Sequence, residues 1–182
     1  MSNLLDQLHS DHRRMAGMLA ALDREVRRFE AGGHPDYDLI GEIVDYFLDT
    51  PERWHHPCEE LVLARLALRD PKAAGRVGDL AGAHVALTEN LLAFVAGLRQ
   101  VMNDAEMPRA ALVGWADDFI ERQRRHLSNE EAGFFPAAER AFGETDWAEV
   151  EAEARRIGLA AGEAAHNDRI WPCLATLGRT QD

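Results

Sequence analysis

The chain has 182 residues, a length that fits one domain. Hydrophobic residues make up 46% and charged residues 29%, enough for a packed core and too apolar for intrinsic disorder. Lys and Arg number 20 against 32 Asp and Glu, and the formal charge of −12 argues against nucleic-acid or anionic-membrane partners, which are held mainly by basic residues.

Helical periodicity dominates from the start. Leu5, Leu8, His12, Met15, Leu19, Leu22, Val26 and Phe29 alternate three and four residues apart, the repeat of one buried helix face. Gly32-Gly33-His34-Pro35 stops that helix. A second begins near Asp38, with Ile40, Val44 and Phe47 on one face. Thr50-Pro51 reads as an N-cap with proline at the first helical position, so a break or bend is expected there, with Pro57 a second cause. Asp70-Pro71 restarts the chain as a third helix, whose stripe is Val77, Leu80, His84, Leu87, Leu91, Val95 and Leu98. Asn103-Asp104 and Pro108 mark the next turn. The fourth stripe carries Leu112, Phe119, Gln123, His126, Glu130 and Phe134, and Pro136 bends or ends it. Asp146 with Glu149 predicts a capping box for a fifth helix, Trp147 to about residue 157, and Trp171-Pro172 breaks the tail. No stretch alternates as a strand would. The expected fold is all-α: an antiparallel up-down four-helix bundle over residues 1–142, with a C-terminal helical extension over 143–182 packed on it.

Three histidines stand where these stripes call for Leu or Ile: His12, His84 and His126. His55 lies on the second helix with Glu59 one turn later, as His126 is followed by Glu130. Residues at i and i+4 share a helix face, so each pair projects into the same space. Each histidine lies about 17 to 19 residues from one end of its helix, and at ~1.5 Å per residue an antiparallel bundle brings all four to one depth. A lone histidine in such a stripe is more often a hydrogen-bonded core residue. Four at one depth, with two carboxylates and no interior Lys or Arg, point to a dinuclear metal site that the glutamates can bridge. Mixed nitrogen and oxygen ligands suit iron, and ligand type alone leaves manganese and zinc open.

At these residues the chain resembles the hemerythrin-like, HHE cation-binding domain. The resemblance rests on Leu8-His9-Ser10-Asp11-His12, His55-His56-Pro57-Cys58-Glu59-Glu60, His84, and His126-Leu127-Ser128-Asn129-Glu130-Glu131 with Phe135-Pro136 beyond. It implies a four-helix bundle around two iron ions, oxo- or hydroxo-bridged, with His12, His55, Glu59, His84, His126 and Glu130 as ligands. Oxygen-carrying relatives resemble HxxxH on the third helix, where this chain has Thr88 one turn after His84, and they use an aspartate where Glu131 stands. One fewer histidine leaves an open coordination position, which favours reaction with a small oxidant. The expected function is therefore binding or reduction of O2, hydrogen peroxide or NO at a non-haem di-iron centre. A non-catalytic iron or oxygen sensor, or an iron-storage module, is the alternative.

Neighbouring residues offer competing assignments. His56 and Glu60 share the i+4 spacing of His55 and Glu59 and lie about a third of a turn away, so a one-residue shift is the main rival. His9 is expected at the surface or behind the ligands. Glu52-x-x-His55 and Glu163-x-x-His166 satisfy a ferritin-like spacing but leave three histidines unexplained. Cys58 reads as a packed thiol, and Arg122, Arg124 and Arg125 as exposed helix surface. No apolar run approaches the ~20 residues of a membrane span. Met1-Ser2-Asn3-Leu4-Leu5-Asp6 lacks the features of a secretory signal, and Cys58 and Cys173 suit a reducing compartment, so a cytoplasmic protein is expected.

Overall fold

The first periodic stretch forms α1 (Asn3–Glu30) in a computed structural model that describes residues 2–103 and 108–160. All regular structure among the described residues is helical. Gly32, at φ +84°, reverses the chain after α1, in a left-handed conformation that costs glycine little. The buried Glu25 carboxylate then accepts from the Asp36 backbone N–H at 2.9 Å, tying the turn to α1. Asp36 caps α2 (Tyr37–Thr50) by accepting from Leu39 N–H.

The expected break at Pro51 takes another form. Thr50 has helical dihedrals and makes no side-chain cap, and the helix runs on through a π-turn, Pro51–His55, into α3 (His56–Arg69). The cause lies further on, at Pro57. A proline ring clashes with the carbonyl four residues back and offers no N–H, and a π-turn widens the helix where that carbonyl sits. The fourth stripe repeats the device: α6 (Arg109–Asn129) passes through a π-turn, Glu130–Phe134, into α7 (Phe135–Ala141), with Pro136 in its first turn.

The third stripe is divided. After Asp70 caps α4 (Pro71–Val77), Gly78 at φ +81° interrupts the helix, and Asp79 caps α5 (Leu80–Met102) by accepting from Gly82 N–H. The last described helix, α8 (Glu144–Ala160), starts earlier than expected. Asp146 lies inside its first turn and reaches back to Gly143 N–H at 3.1 Å, while Glu149 pairs with Arg65 instead of closing a capping box. Trp171, Pro172 and Cys173 lie outside the described residues.

The core divides into two apolar clusters. One holds Met15, Leu22, Ile43, Phe47, Phe94 and Phe119; the other holds Leu5, Leu8, Val62, Leu66, Phe134 and Phe135. α1 runs from the second cluster to the first, α2–α3 from first to second, α5 from second to first, and α6–α7 from first to second. Val150 and Ala154 of α8 join the second cluster. By length and composition, Pro71–Met102 would suffice for a membrane span, contrary to the reading of the sequence. Gly78 interrupts it, and its Leu87, Leu91, Phe94 and Leu98 are buried in the fold.

Candidate metal centre

Between the two apolar clusters lies a polar layer. On α1, His12 falls between Leu8 of one cluster and Met15 of the other. His55 and Glu59 fall between Phe47 and Val62, His84 between Leu80 and Leu91, and His126 with Glu130 between Phe119 and Phe134. The six expected residues therefore meet at one depth, and all but His126 are at most 4% exposed.

Their ligand atoms sort into two groups. His12 Nε2 stands 3.0 Å from His55 Nε2 and 3.5 Å from both Glu59 Oε1 and Glu130 Oε2. His55 Nε2 is 3.2 Å from Glu59 Oε1. Opposite them, His84 Nε2 is 3.3 Å from Glu59 Oε2 and 3.9 Å from Glu130 Oε1, and His126 Nε2 is 3.1 Å from Glu130 Oε1. Each carboxylate thus gives one oxygen to each group.

These atoms fit a cation better than they fit one another. Among the described residues, eleven buried side-chain nitrogen and oxygen atoms lack a hydrogen-bond partner, and nine belong to His55, His56, Glu59, His84, His126 and Glu130. Leaving so many buried polar atoms unpaired would cost several kcal/mol in total unless something else satisfies them. Two nitrogens ~2.1 Å from one metal at a right angle stand ~3.0 Å apart, which matches the His12–His55 separation.

His56 is where the structure departs from the sequence reading. Helical spacing alone sets it a third of a turn away, as a rival to His55. Instead both consecutive histidines are buried where the π-turn, with His55 as its last residue, passes into α3 at His56. The His56 ring stacks on His84 with centroids 3.7 Å apart and planes 7° from parallel. One of its nitrogens lies within 4.8 Å of ligand atoms from Glu59, His84 and His126. Glu60 is exposed, so the shifted pair does not form. Pro57, immediately after His56, was the available signal.

A second ring of polar groups backs the layer. The Glu131 carboxylate lies 2.9 Å from Nδ1 of both His9 and His12, so His9 sits behind the centre as expected. Asp11 is buried, accepts from Gln7, and stands 3.6 Å from His55 Nδ1; nothing in its spacing had singled it out. Such partners fix the ring orientation of a ligating histidine. Phe135 stacks on His12 at 5.0 Å. Cys58 is a fully buried free thiol, pushed up to about 12 by burial, which suits packing rather than reactivity. Arg122 and Arg124 are exposed and pair with Asp118 and Asp23. Glu163 and His166 lie outside the described residues.

Burial opposes charge on His55, but Glu59 and Asp11 carry its ring up to about 10; His84, likewise opposed by burial, is carried to about 9 by Glu130 and Glu59. Burial and His84 push His56 down to about 2, and burial takes His126 down to about 4. Burial and the Glu59 charge raise Glu130 to about 7, whereas Glu59, against its burial, is held well below the usual carboxylate range by His55 and His12. Chemically equivalent groups driven in opposite directions mark a functional site.

A cavity of about 470 Å³ reaches the layer from outside, with His126 and Glu130 in its wall alongside Leu80, Ala83, Gly133 and Phe134. Residues 3–138 match the family model described as the hemerythrin HHE cation binding domain. No curated protein and no solved structure matches the chain.

Proposed function

The chain belongs to the hemerythrin HHE cation-binding family, and from that premise we propose that it is a non-haem di-iron protein that binds or reduces O2, hydrogen peroxide or NO. The observation that carries the reading is the division of Glu59 and Glu130, each of which turns one oxygen to His12 and its neighbours and the other to His84. In this reading His12 and His55 would hold one iron and His84 and His126 the other, with Glu59 and Glu130 each able to offer one oxygen to either side. When bound, a pair of irons supplies one-electron steps between ferrous and ferric states. The remaining work falls to the chain. Glu131 holds the His12 ring by its outer nitrogen, Leu8, Phe134 and Phe135 keep bulk water from one side of the layer, and the cavity at His126 and Glu130 admits a small ligand.

The same proposal takes residues 1–142 as an antiparallel up-down four-helix bundle and 143–182 as an extension, of which residues 161–182 lie outside the described residues. The alternating order in which the helical runs cross the two apolar clusters supports the bundle. Ser2 and Leu4 bonding to Glu151, with Asp146 bonding to Arg69, support an extension docked on it. A cytoplasmic setting belongs to the proposal too, consistent with a buried free thiol at Cys58.

Stopped-flow mixing of the iron-loaded chain with peroxide, O2 or NO, in the presence of an external reductant, tests the reading. Repeated turnover with at least one of them is expected. A single stoichiometric oxidation with no turnover by any of the three would remove the reduction and leave ligand binding, iron sensing or storage.

A further inference from the structure

His56 is more than 90% buried, yet its Nδ1 finds no hydrogen-bond partner. Two features fix its ring. One face lies flat on His84, and Nδ1 faces the Glu52 carboxylate at 3.3 Å, too poorly aligned for a hydrogen bond. Glu52 is itself held from the third stripe, where the Thr88 hydroxyl donates to its Oε1 at 2.6 Å. Thr88, Glu52 and His56 thus form a line from α5 through the π-turn to the polar layer.

We infer that His56 is a further metal ligand, giving a ring nitrogen to the position shared by His84 and His126, and that Glu52 and Thr88 are its positioning residues. The inference rests on the two-metal reading above and deepens it. With the Glu52 carboxylate 3.3 Å from Nδ1, a small rotation of the ring completes that hydrogen bond and leaves Nε2 for the metal, the relation that Glu131 already has to His12. The two positions then differ. Beside the shared glutamates, one has two imidazoles, from His12 and His55, and the other has three, from His56, His84 and His126. A tight stack on His84 with no metal role would need only an aromatic ring, whereas ligation needs the nitrogen. That difference separates the two readings experimentally.

The test is a competition titration of the metal-free full chain with Co(II), for wild type, His56→Phe, Glu52→Gln and Thr88→Val. Phenylalanine keeps the ring stack and removes both nitrogens. Wild type should take up two Co(II). His56→Phe should keep the first affinity and lose ~100-fold or more in the second, and Glu52→Gln should lose on the order of 10-fold in the second, the range for a partner behind a ligand. Thr88→Val should lose less than Glu52→Gln. If His56→Phe folds and binds both ions as wild type does, the inference is overturned while the two-metal reading stands. A wild type that loads fewer than two ions would instead overturn the two-metal reading and this inference with it. Should His56→Phe fail to fold, paramagnetically shifted imidazole N–H signals of Co(II)-loaded wild type decide: five support His56 as a ligand, and four overturn it.

Discussion

Glu59 has no exposed atom and makes no hydrogen bond, yet its two oxygens face nitrogens of His12, His55 and His84. A buried carboxylate in that state costs several kcal/mol unless cations or protons face it. Because Glu59 serves both groups and His84 only one, substitutions at the two should separate. Glu59→Gln should weaken both metal positions by on the order of 100-fold, and its metal-free form should melt lower than metal-free wild type, since the buried charged ring of His55 loses the carboxylate that faces it. His84→Ala should weaken one position and spare the other. Metal content by mass spectrometry, with thermal melts of the metal-free forms, checks both; equal losses from the two variants would count against a shared Glu59. The six residues brought together here were readable from sequence, because i+4 pairs on apolar stripes allow few other placements. His56 was not, since its inward turn comes where a π-turn passes into α3, which helical periodicity does not contain. Glu52 stood out only for a ferritin-like spacing to His55, and Asp11 only within the family motif; that they face Nδ1 of His56 and His55 is encoded by no spacing.

Helices were legible wherever a stripe had to be buried, and their interruptions were legible only in part. Asp36, Asp70 and Asp79 cap as short acceptors should, but the break at Gly78 lay hidden within an unbroken apolar stripe. Prolines mark disturbance without specifying its form: at Pro57 and Pro136 the chain widens into a π-turn, because packing on both sides holds the helix on course. The docking of α8 has a pH dependence of its own. Arg69, bonded to Asp146 at 2.7 Å, holds that carboxyl below its ordinary 3.8, with Gly143 N–H and Arg65 acting in the same direction. A carboxylate whose folded value is depressed stabilises the fold above its unfolded value and loses that contribution as pH falls through the folded one. Protection of α8 against hydrogen exchange, taken relative to the intrinsic rate at each pH, should therefore fall below about pH 4, ahead of the long helices, whereas Asp146→Asn should be less protected already at pH 7 and respond less to acid. An α8 whose exchange in the wild type follows the rest of the chain down to pH 3 would show that this ion pair does not anchor it.

At the scale of the whole molecule, a polar layer divides an otherwise apolar core, and the family match spans the four helical runs that carry it. A fold bears that cost when the layer holds something, and the carboxylates and imidazoles gathered there have few partners besides one another. The depth of the layer was legible because helical rise converts sequence offset into height. That two glutamates could bridge a dinuclear site was legible too, but which histidines face each carboxylate oxygen was not, because that depends on how the oxygens turn. The central claim is that the layer holds two metal ions, and metal content per chain with the visible spectrum tests it most directly. After anaerobic loading with ferrous iron and removal of excess, two irons per chain are predicted, with near-ultraviolet charge-transfer bands that appear on oxidation and change on adding peroxide. One iron or none in a folded chain, or a spectrum unmoved by oxidation and peroxide, would contradict it.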